Sequence, residues 1–218
     1  MQRTAGEKCR LKPSASSHMS GIKFGKIPRS KLPTRFGDFT IYGFRDPKSG
    51  EEAVALVAGS PDPVTPLLVR VHSQCLTGDV FQSERCDCGD QLHEALRLIS
   101  EAGLGILVYQ QREGRGIGLT NKIRAYELQD LGSDTVDANE ELGFDADLRD
   151  YRMPAAILRY LGVRRIRLLS NNPEKVQSLE AEGIEVLERV PLEITPNSST
   201  ESYLRTKKEK LGHLLTKV

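Results

Sequence analysis

The segment GILVYQQREGRGIGLTNKIRAYELQDLG (residues 105–132) carries the pattern that decides the fold. It opens with a short apolar run, Gly105 to Tyr109, of the kind found in a buried strand. Leu119, Ile123 and Tyr126 then recur at helical spacing, and a glycine closes that helix. A buried strand joined to an amphipathic helix by a glycine-rich turn is the building unit of a parallel sheet with covering helices.

The same alternation continues on both sides of this segment. Upstream, Leu92, Leu96 and Ile99 recur at helical spacing before Gly103. Downstream, the predicted elements are a helix marked by Ala155, Leu158 and Leu161, a strand over Arg165–Leu169, a helix with Asn172 as N-cap and Pro173 at its first position that stops at Gly183, a strand over Ile184–Leu187, and a lysine-rich helix over Ser202–Leu215.

The N-terminal half has a different character. Phe39–Phe44, Val54–Ala58 and Leu67–His72 are short segments rich in β-branched and aromatic residues, separated by Pro and Gly turns. They predict that the sheet begins with a set of antiparallel strands. The fold class is therefore α/β: a mixed sheet with covering helices, antiparallel strands in the N-terminal part and βα alternation in the C-terminal part. Residues 1–27 lack apolar periodicity and are predicted as a disordered leader, followed by a single domain over 28–218.

Composition narrows the classes of function. Lys plus Arg number 31 against 30 for Asp plus Glu, so no basic excess suggests a nucleic-acid partner. No apolar run approaches the roughly 18 to 20 residues that span a bilayer, and the N-terminus lacks the apolar core of a secretory signal. We therefore expect neither nucleic acid nor membrane as a partner, and a cytoplasmic location.

Three of the four cysteines crowd together as Cys75, Cys86 and Cys88. Clustered thiols in a reducing compartment indicate metal more often than disulfides. With three protein ligands a zinc ion keeps one open position; a fourth ligand (Cys9, His72 or His93) would make the site structural instead. Three thiolates also leave the site with a net negative charge, so basic or hydrogen-bonding groups would be needed nearby. The alternative is three buried apolar cysteines.

Three further stretches are candidates for binding or catalysis. Gln111–Gly118 is a glycine-rich strand-to-helix turn with two arginines, which favours phosphate, although a tight turn with solvated charges would look the same. Ser170–Lys175 is a second such turn and could be only a good N-cap. In an extended chain Asp147 and Arg149 would project to the same side, where they could act on a phosphate ester. The alternative is a surface loop of balancing charges.

Taken together, these residues resemble the GTP cyclohydrolase II family over about residues 32–215. The resemblance lies in five stretches that match in order and approximate spacing: Arg70–Asp79, Arg85–Gly89, Glu113–Arg115, Asn121–Tyr126 and Asn171–Pro173. It implies hydrolysis of GTP to formate, pyrophosphate and 2,5-diamino-6-ribosylamino-4(3H)-pyrimidinone 5′-phosphate, the first step of riboflavin biosynthesis.

The resemblance also implies roles for single residues. Cys75, Cys86 and Cys88 would hold one zinc ion (Zn2+), and magnesium (Mg2+) would accompany the triphosphate. Tyr126 would orient the reacting ring, Asp147 would accept a proton, and Arg149 would act as a nucleophile toward phosphorus. Because a guanidinium stays protonated, electrostatic stabilisation is an equal account of Arg149. The implied GTP contacts are Arg70, Val71, His72, Ser73, Gln74, Gln91, Glu113, Gly114, Arg115, Thr135, Ser170 and Lys175. A homodimer is also implied.

Two alternatives stay open at this stage. A related cyclohydrolase could release the formylated intermediate or feed a secondary-metabolite pathway, and product analysis would separate it from the full reaction. By the same resemblance, the Tyr126 phenol favours complete deformylation. A non-catalytic zinc module that binds nucleotide or RNA is the other alternative, and it predicts tight GTP binding without formate.

Overall fold

The computed structural model describes residues 21–62, 64–145 and 149–218. Its strands are β1 (Arg29–Thr34), β2 (Gly37–Arg45), β3 (Glu52–Ala58), β4 (Leu67–Ser73), β5 (Gly105–Gln110), β6 (Arg165–Leu169) and β7 (Glu185–Val190). Its helices are α1 (Leu76–Asp79), α2 (Cys88–Glu101), α3 (Leu119–Asp130), α4 (Asp137–Glu141), α5 (Arg152–Tyr160), α6 (Pro173–Ala181) and α7 (Glu201–Leu211). A 3-10 helix, Glu113–Gly116, precedes α3.

The strands form one seven-stranded mixed sheet in the order β1-β2-β3-β5-β4-β6-β7. Strand β5 divides it: β5 pairs antiparallel with β3 on one side and parallel with β4 on the other. Strands β1 to β3 are antiparallel, and β4, β6 and β7 are parallel. The predicted fold class, with antiparallel strands first and βα alternation later, is confirmed.

One strand of the predicted antiparallel set was assigned wrongly. The segment Leu67–His72 forms β4, whose neighbours β5 and β6 both run parallel to it. The physical reason is the connection that follows: α1 and α2 cross over between β4 and β5, and such a crossover returns the chain in the same direction.

The sheet also begins earlier than the sequence indicates. Strand β1 contains Pro33, which is tolerated because β1 is an edge strand with only β2 beside it. Within the predicted leader, Phe24 packs edge-on against Phe44 and Tyr160, with ring centroids 5.0 and 5.9 Å away. The packed part of the chain thus includes residues before position 28, whereas residues 1–20 lie outside the described part.

Two apolar cores cover the two faces of the sheet. Helices α5 and α6 pack on one face, where Ile157, Leu158 and Leu179 are fully buried. Helix α2 packs on the other face through Ala95 and Ile99. Among the described residues, every helix is too short or too polar to cross a bilayer.

The carboxyl ends of β4, β5 and β6 meet at one edge of the sheet. Ser73, the last residue of β4, is in register with Gln110, the last residue of β5. From β4 the chain passes to β5 on one side and later to β6 on the other, which makes β4 a topological switch point. Ligands of open α/β sheets bind in the crevice outside such a point.

Candidate metal centre and cationic pocket

A pocket opens at this edge, between the loops that follow β4, β5 and β6. Its lining includes Cys75 from the first loop, Arg115 from the second and Ser170 from the third. Three separate predicted stretches, far apart in sequence, are thereby brought into one crevice. The topology of the sheet is what places them together.

The three predicted metal ligands form a compact cluster. The Sγ atoms of Cys75, Cys86 and Cys88 all lie within 4.8 Å of one another, and those of Cys75 and Cys86 are 3.6 Å apart. Gly78 packs directly against them: a Cβ atom at this position would lie 3.1 Å from Cys86 Sγ and 3.3 Å from Cys75 Sγ. The backbone at Gly78 therefore closes one side of a sulfur cage of suitable size for a zinc ion.

A buried lysine lies against the cluster. Lys122 Nζ donates to Cys75 Sγ at 3.1 Å, to Glu113 Oε1 at 2.7 Å and to Thr77 Oγ1 at 3.0 Å. The second oxygen of Glu113 accepts from the backbone N–H of Leu76 at 2.7 Å. The network ties the β5 loop to the β4 loop and places a positive charge beside the thiolates.

The ionisation of the cluster follows from these contacts. Hydrogen bonds from the thiols of Cys86 and Cys88, together with the Lys122 ammonium, lower the pKa of Cys75. Its thiolate in turn raises the pKa of Cys86 to about 11. Although burial opposes it, the Cys75 thiolate and the Glu113 carboxylate raise the pKa of Lys122. The contact with the Lys122 ammonium thus favours the thiolate form of Cys75.

Neither candidate histidine joins the cluster. His72 Nε2 is hydrogen-bonded to Asp79 Oδ1 at 3.0 Å, and Asp79 also accepts from the Tyr109 hydroxyl at 2.8 Å. His93 Nε2 lies 3.2 Å from Arg35 Nη2. In the described part of the chain, the metal-ligating side chains that come together are the three cysteines, and Cys9 lies outside that part. The arrangement favours a site with an open position.

A second network of hydrogen bonds begins at Asp87, which lies between Cys86 and Cys88 in the sequence. Asp87 Oδ1 accepts from Lys207 Nζ on α7 at 3.0 Å, and Asp87 Oδ2 accepts from Gln91 Nε2 at 2.5 Å. Gln91 Oε1 accepts from Arg70 Nη2 at 2.6 Å, while Arg70 Nη1 donates to the carbonyl of Leu169 at 2.9 Å. Burial lowers the pKa of Arg70 to about 10, which leaves it cationic at neutral pH.

The rest of the lining is strongly cationic. Arg85, Arg112, Arg149, Lys175 and Lys207 line the pocket together with Arg115, against one lining carboxylate, Glu113, in the described residues. Arg115 has a left-handed backbone conformation, with φ of 59°, which is uncommon for a residue with a side chain and marks functional turns. Its Nη1 atom is buried and has no hydrogen-bond partner in the described structure. An anionic ligand would provide the hydrogen-bond acceptor that such a buried guanidinium nitrogen lacks.

Most of the predicted site residues line this pocket. Those that do are Arg70, His72, Ser73, Gln74, Cys75, Cys86, Cys88, Gln91, Glu113, Gly114, Arg115, Tyr126, Thr135, Arg149, Ser170 and Lys175. Val71 does not: its side chain is fully buried in the core, and its carbonyl accepts from Lys175 Nζ at 2.8 Å. Asp147 lies outside the described residues.

Comparison with known proteins identifies the family of the chain. The family model described as GTP cyclohydrolase II matches residues 26–191, which include the cysteine cluster and the three loops. The chain belongs to the GTP cyclohydrolase II family. It is 57% identical over 189 residues to "GTP cyclohydrolase-2" of Azotobacter vinelandii, covering 87% of this chain and 91% of that protein.

Two other relatives of the GTP cyclohydrolase II family show how the similarity extends. "GTP cyclohydrolase-2" of Shewanella frigidimarina is 53% identical over 190 residues, covering 87% of this chain and 94% of that protein. "Riboflavin biosynthesis protein RibBA" of Chlorobium phaeovibrioides is 55% identical over 187 residues, or 86% of this chain. The chain spans only 46% of the length of the RibBA protein.

Several pocket residues of this GTP cyclohydrolase II family member were not predicted from sequence. Lys122 had an available signal, because it lies four residues before Tyr126 and so shares one face of α3. Tyr203, Lys207 and His213 had none, since α7 reads as an ordinary lysine-rich surface helix. These three also lie beyond the residues that the family model matches.

Proposed function

We propose that this chain is a zinc-dependent GTP cyclohydrolase II, which converts GTP and water to formate, pyrophosphate and 2,5-diamino-6-ribosylamino-4(3H)-pyrimidinone 5′-phosphate. One observation carries the proposal: a cage of three cysteine sulfurs faces a pocket whose other walls are lined by cations. A metal for hydrolysis and positive charge for a triphosphate are the two requirements of this reaction, and family membership supports both.

The residues present fit a zinc ion. Three sulfurs within 4.8 Å of one another, closed on one side by Gly78, match the three-ligand arrangement of catalytic zinc sites. When bound, zinc would supply a Lewis acid that activates water toward C8 of the guanine ring. Lys122 would offset the net negative charge of the three thiolates. A zinc ion held by three sulfurs would thereby keep its ability to activate water.

Tyr126 is placed to orient the ring beside the metal. Its hydroxyl lies 3.1 Å from Thr77 Oγ1, and Thr77 also accepts from Lys122. Arg85 lies over the Tyr126 ring with its guanidinium carbon 4.9 Å from the centroid. The phenol is thus held at the cysteine cluster, and burial raises its pKa, so it stays protonated and able to donate.

The remaining cations of the pocket would bind the triphosphate together with Mg2+. Arg115 supplies the buried Nη1 without a partner, and Arg149 and Lys175 add charge. We keep Asp147 as the proton acceptor of this proposal. For Arg149 we favour stabilisation of the leaving pyrophosphate, because a guanidinium is a poor nucleophile while protonated.

The test is incubation of the purified protein with GTP, Zn2+ and Mg2+, followed by mass spectrometry of the pyrimidine and assay of formate and pyrophosphate. Equal amounts of formate and pyrophosphate are expected. A formylated pyrimidine in place of free formate would favour the related enzyme that releases the intermediate. Absence of any ring-opened product from the zinc-loaded protein would refute the proposal.

A separate experiment decides the role of Arg149. A single-turnover reaction with GTP labelled at the α-phosphate, quenched in alkali, would preserve a phosphoarginine bond. We expect no label on the protein and a slowed reaction in Arg149→Lys. Label retained on the parent protein and lost in Arg149→Lys would instead identify a covalent nucleophile.

A homodimer in the cytoplasm completes the proposal. Three unpaired thiols suit a reducing compartment. Val80 and Phe81, next to the cysteine cluster, are 61% and 70% exposed and supply apolar surface for a subunit contact. Sedimentation equilibrium is expected to give twice the chain mass, and Phe81→Ser is expected to weaken association.

A further inference from the structure

The C-terminal segment Glu201–Leu215 forms part of the pocket. Four of its side chains line the crevice: Tyr203, Lys207, Leu211 and His213. The segment comprises α7, the left-handed Gly212 that ends it, and the three residues that follow. It therefore adds a wall that none of the three sheet loops supplies.

The segment is anchored to two of those loops. Lys207 Nζ reaches Asp87 Oδ1 at 3.0 Å, and both side chains are buried, with exposures of 11% and 4%. The backbone N–H of Leu214 donates to the carbonyl of Asn171, just after β6, at 2.8 Å. A buried ion pair to one loop and a backbone hydrogen bond to another fix the position of the residues between them.

His213 lies between these two anchors. Its ring makes no hydrogen bond to another described residue, and Lys207, Arg149, Lys175 and Arg115 are the charged groups that act on it most strongly. Burial and then these four cations lower the pKa of His213 to about 3. The imidazole is therefore neutral and offers one N–H donor and one acceptor nitrogen in a cationic surrounding.

We propose that the segment Glu201–Leu215 is a wall of the nucleotide site, in which His213 donates a hydrogen bond to the phosphate groups and Lys207 holds the segment on the metal loop through Asp87. The inference rests on the proposed function, since it takes a nucleotide polyphosphate as the ligand. An anionic ligand fits because it satisfies the surrounding cations and accepts the imidazole N–H.

The test of His213 uses the zinc-loaded protein and two probes, inorganic pyrophosphate and guanosine, titrated by calorimetry. In His213→Leu we expect pyrophosphate to bind about tenfold more weakly, because a hydrogen bond to a charged group is lost. Guanosine binding and zinc content should stay at the parent level. His213→Gln, which keeps an N–H donor, should recover most of the pyrophosphate affinity.

The outcomes separate the two proposals. Unchanged pyrophosphate binding in His213→Leu, or an equal loss for pyrophosphate and guanosine, would overturn the role of His213. If the parent protein binds pyrophosphate but neither guanosine nor GTP, the proposed function fails, whereas the comparison of His213 variants still decides the phosphate contact.

Lys207 is tested by hydrogen exchange of the same zinc-loaded protein. In Lys207→Met the amides of residues 201–215 should lose at least about tenfold in protection, because Asp87 loses its buried partner. Lys208→Met removes the neighbouring exposed lysine and should leave that protection unchanged. Equal exchange in the two variants would rule out the anchor.

Discussion

Lys122 and Arg115 line one pocket and use positive charge in opposite ways. We call the groups around the cysteine cluster the metal end and the cations that we assign to the triphosphate the phosphate end. Lys122 Nζ, at the metal end, already has three partners, a thiolate, a carboxylate and a hydroxyl. Arg115, at the end that we assign to phosphate, keeps a buried Nη1 without a partner in the described structure. The first cation completes a site within the protein, whereas the second is complete only with a ligand.

This difference predicts two kinds of variant. Changes at the metal end should alter metal content and the rate of chemistry, because they dismantle a finished network. Changes at the phosphate end should alter nucleotide affinity and leave the metal in place.

The largest effect is expected for Cys86→Ser, which removes one wall of the sulfur cage. Zinc content should fall to near zero, and formate release should fall by about 10³-fold or more, because metal assistance is worth several kcal/mol. Elemental analysis and a formate assay check this. Glu84→Gln, an exposed change in the same loop, is the control and should behave as the parent. Full activity of a metal-free Cys86→Ser protein would show that the reaction does not require a metal at the cysteine cluster.

Lys122→Met is expected to have the next largest effect. It leaves Glu113 buried without its cation and the thiolates without a neutralising charge, so zinc affinity and turnover should each fall about 10- to 100-fold. Competition with a chromophoric chelator measures the affinity. Adding Glu113→Gln should restore part of the thermal stability, because it removes the unpaired carboxylate. Unchanged zinc affinity in Lys122→Met would show that the contact with Cys75 is incidental.

Arg115→Met tests the phosphate end of the pocket. Loss of a charge-assisted hydrogen bond should raise the KM for GTP about 10- to 100-fold at constant zinc content. Arg124→Met, which removes an exposed arginine of α3, provides the matched control. A loss of zinc in Arg115→Met would contradict the division into two ends.

Thr77→Val should give the smallest effect. Its hydroxyl links Tyr126 and Lys122, and a neutral hydrogen bond of about 1 kcal/mol corresponds to roughly a fivefold loss of turnover. Steady-state kinetics with Thr120→Val as the exposed control tests this. A loss as large as that of Lys122→Met would mean that Thr77, rather than the ammonium, organises the metal end.

The regions of the molecule differ in how much of their structure could be predicted from the sequence. The cysteine cluster and the glycine-rich turn were identifiable because ligand chemistry and turn chemistry depend on residue types at short spacing. The βα alternation predicted the parallel part of the sheet, and the crevice lies where those parallel strands bring their carboxyl ends to one edge. The direction of β4 was missed, because a short apolar strand reads alike whether its neighbours are parallel or antiparallel.

The remaining features depend on contacts between distant parts of the chain. Strand β1 was not predicted because it contains Pro33. Proline is tolerated there only because β1 lies at the edge of the sheet, which the sequence does not reveal. Burial of the Val71 side chain in the core follows from its place on β4, and its contact with GTP stays a prediction. Lys207 could not be distinguished from the other lysines of α7 because its partner Asp87 is 120 residues away.

That long separation has a consequence for how the protein is made. All three cysteines leave the ribosome more than a hundred residues before Lys207, so the zinc ion of the proposed function would be captured while α7 is still unsynthesised. The crevice gains its last wall only afterwards. Under the proposed function, metal loading and nucleotide binding would therefore be separated in time, and a chain that stops before α7 should emerge zinc-loaded but poor at holding phosphate.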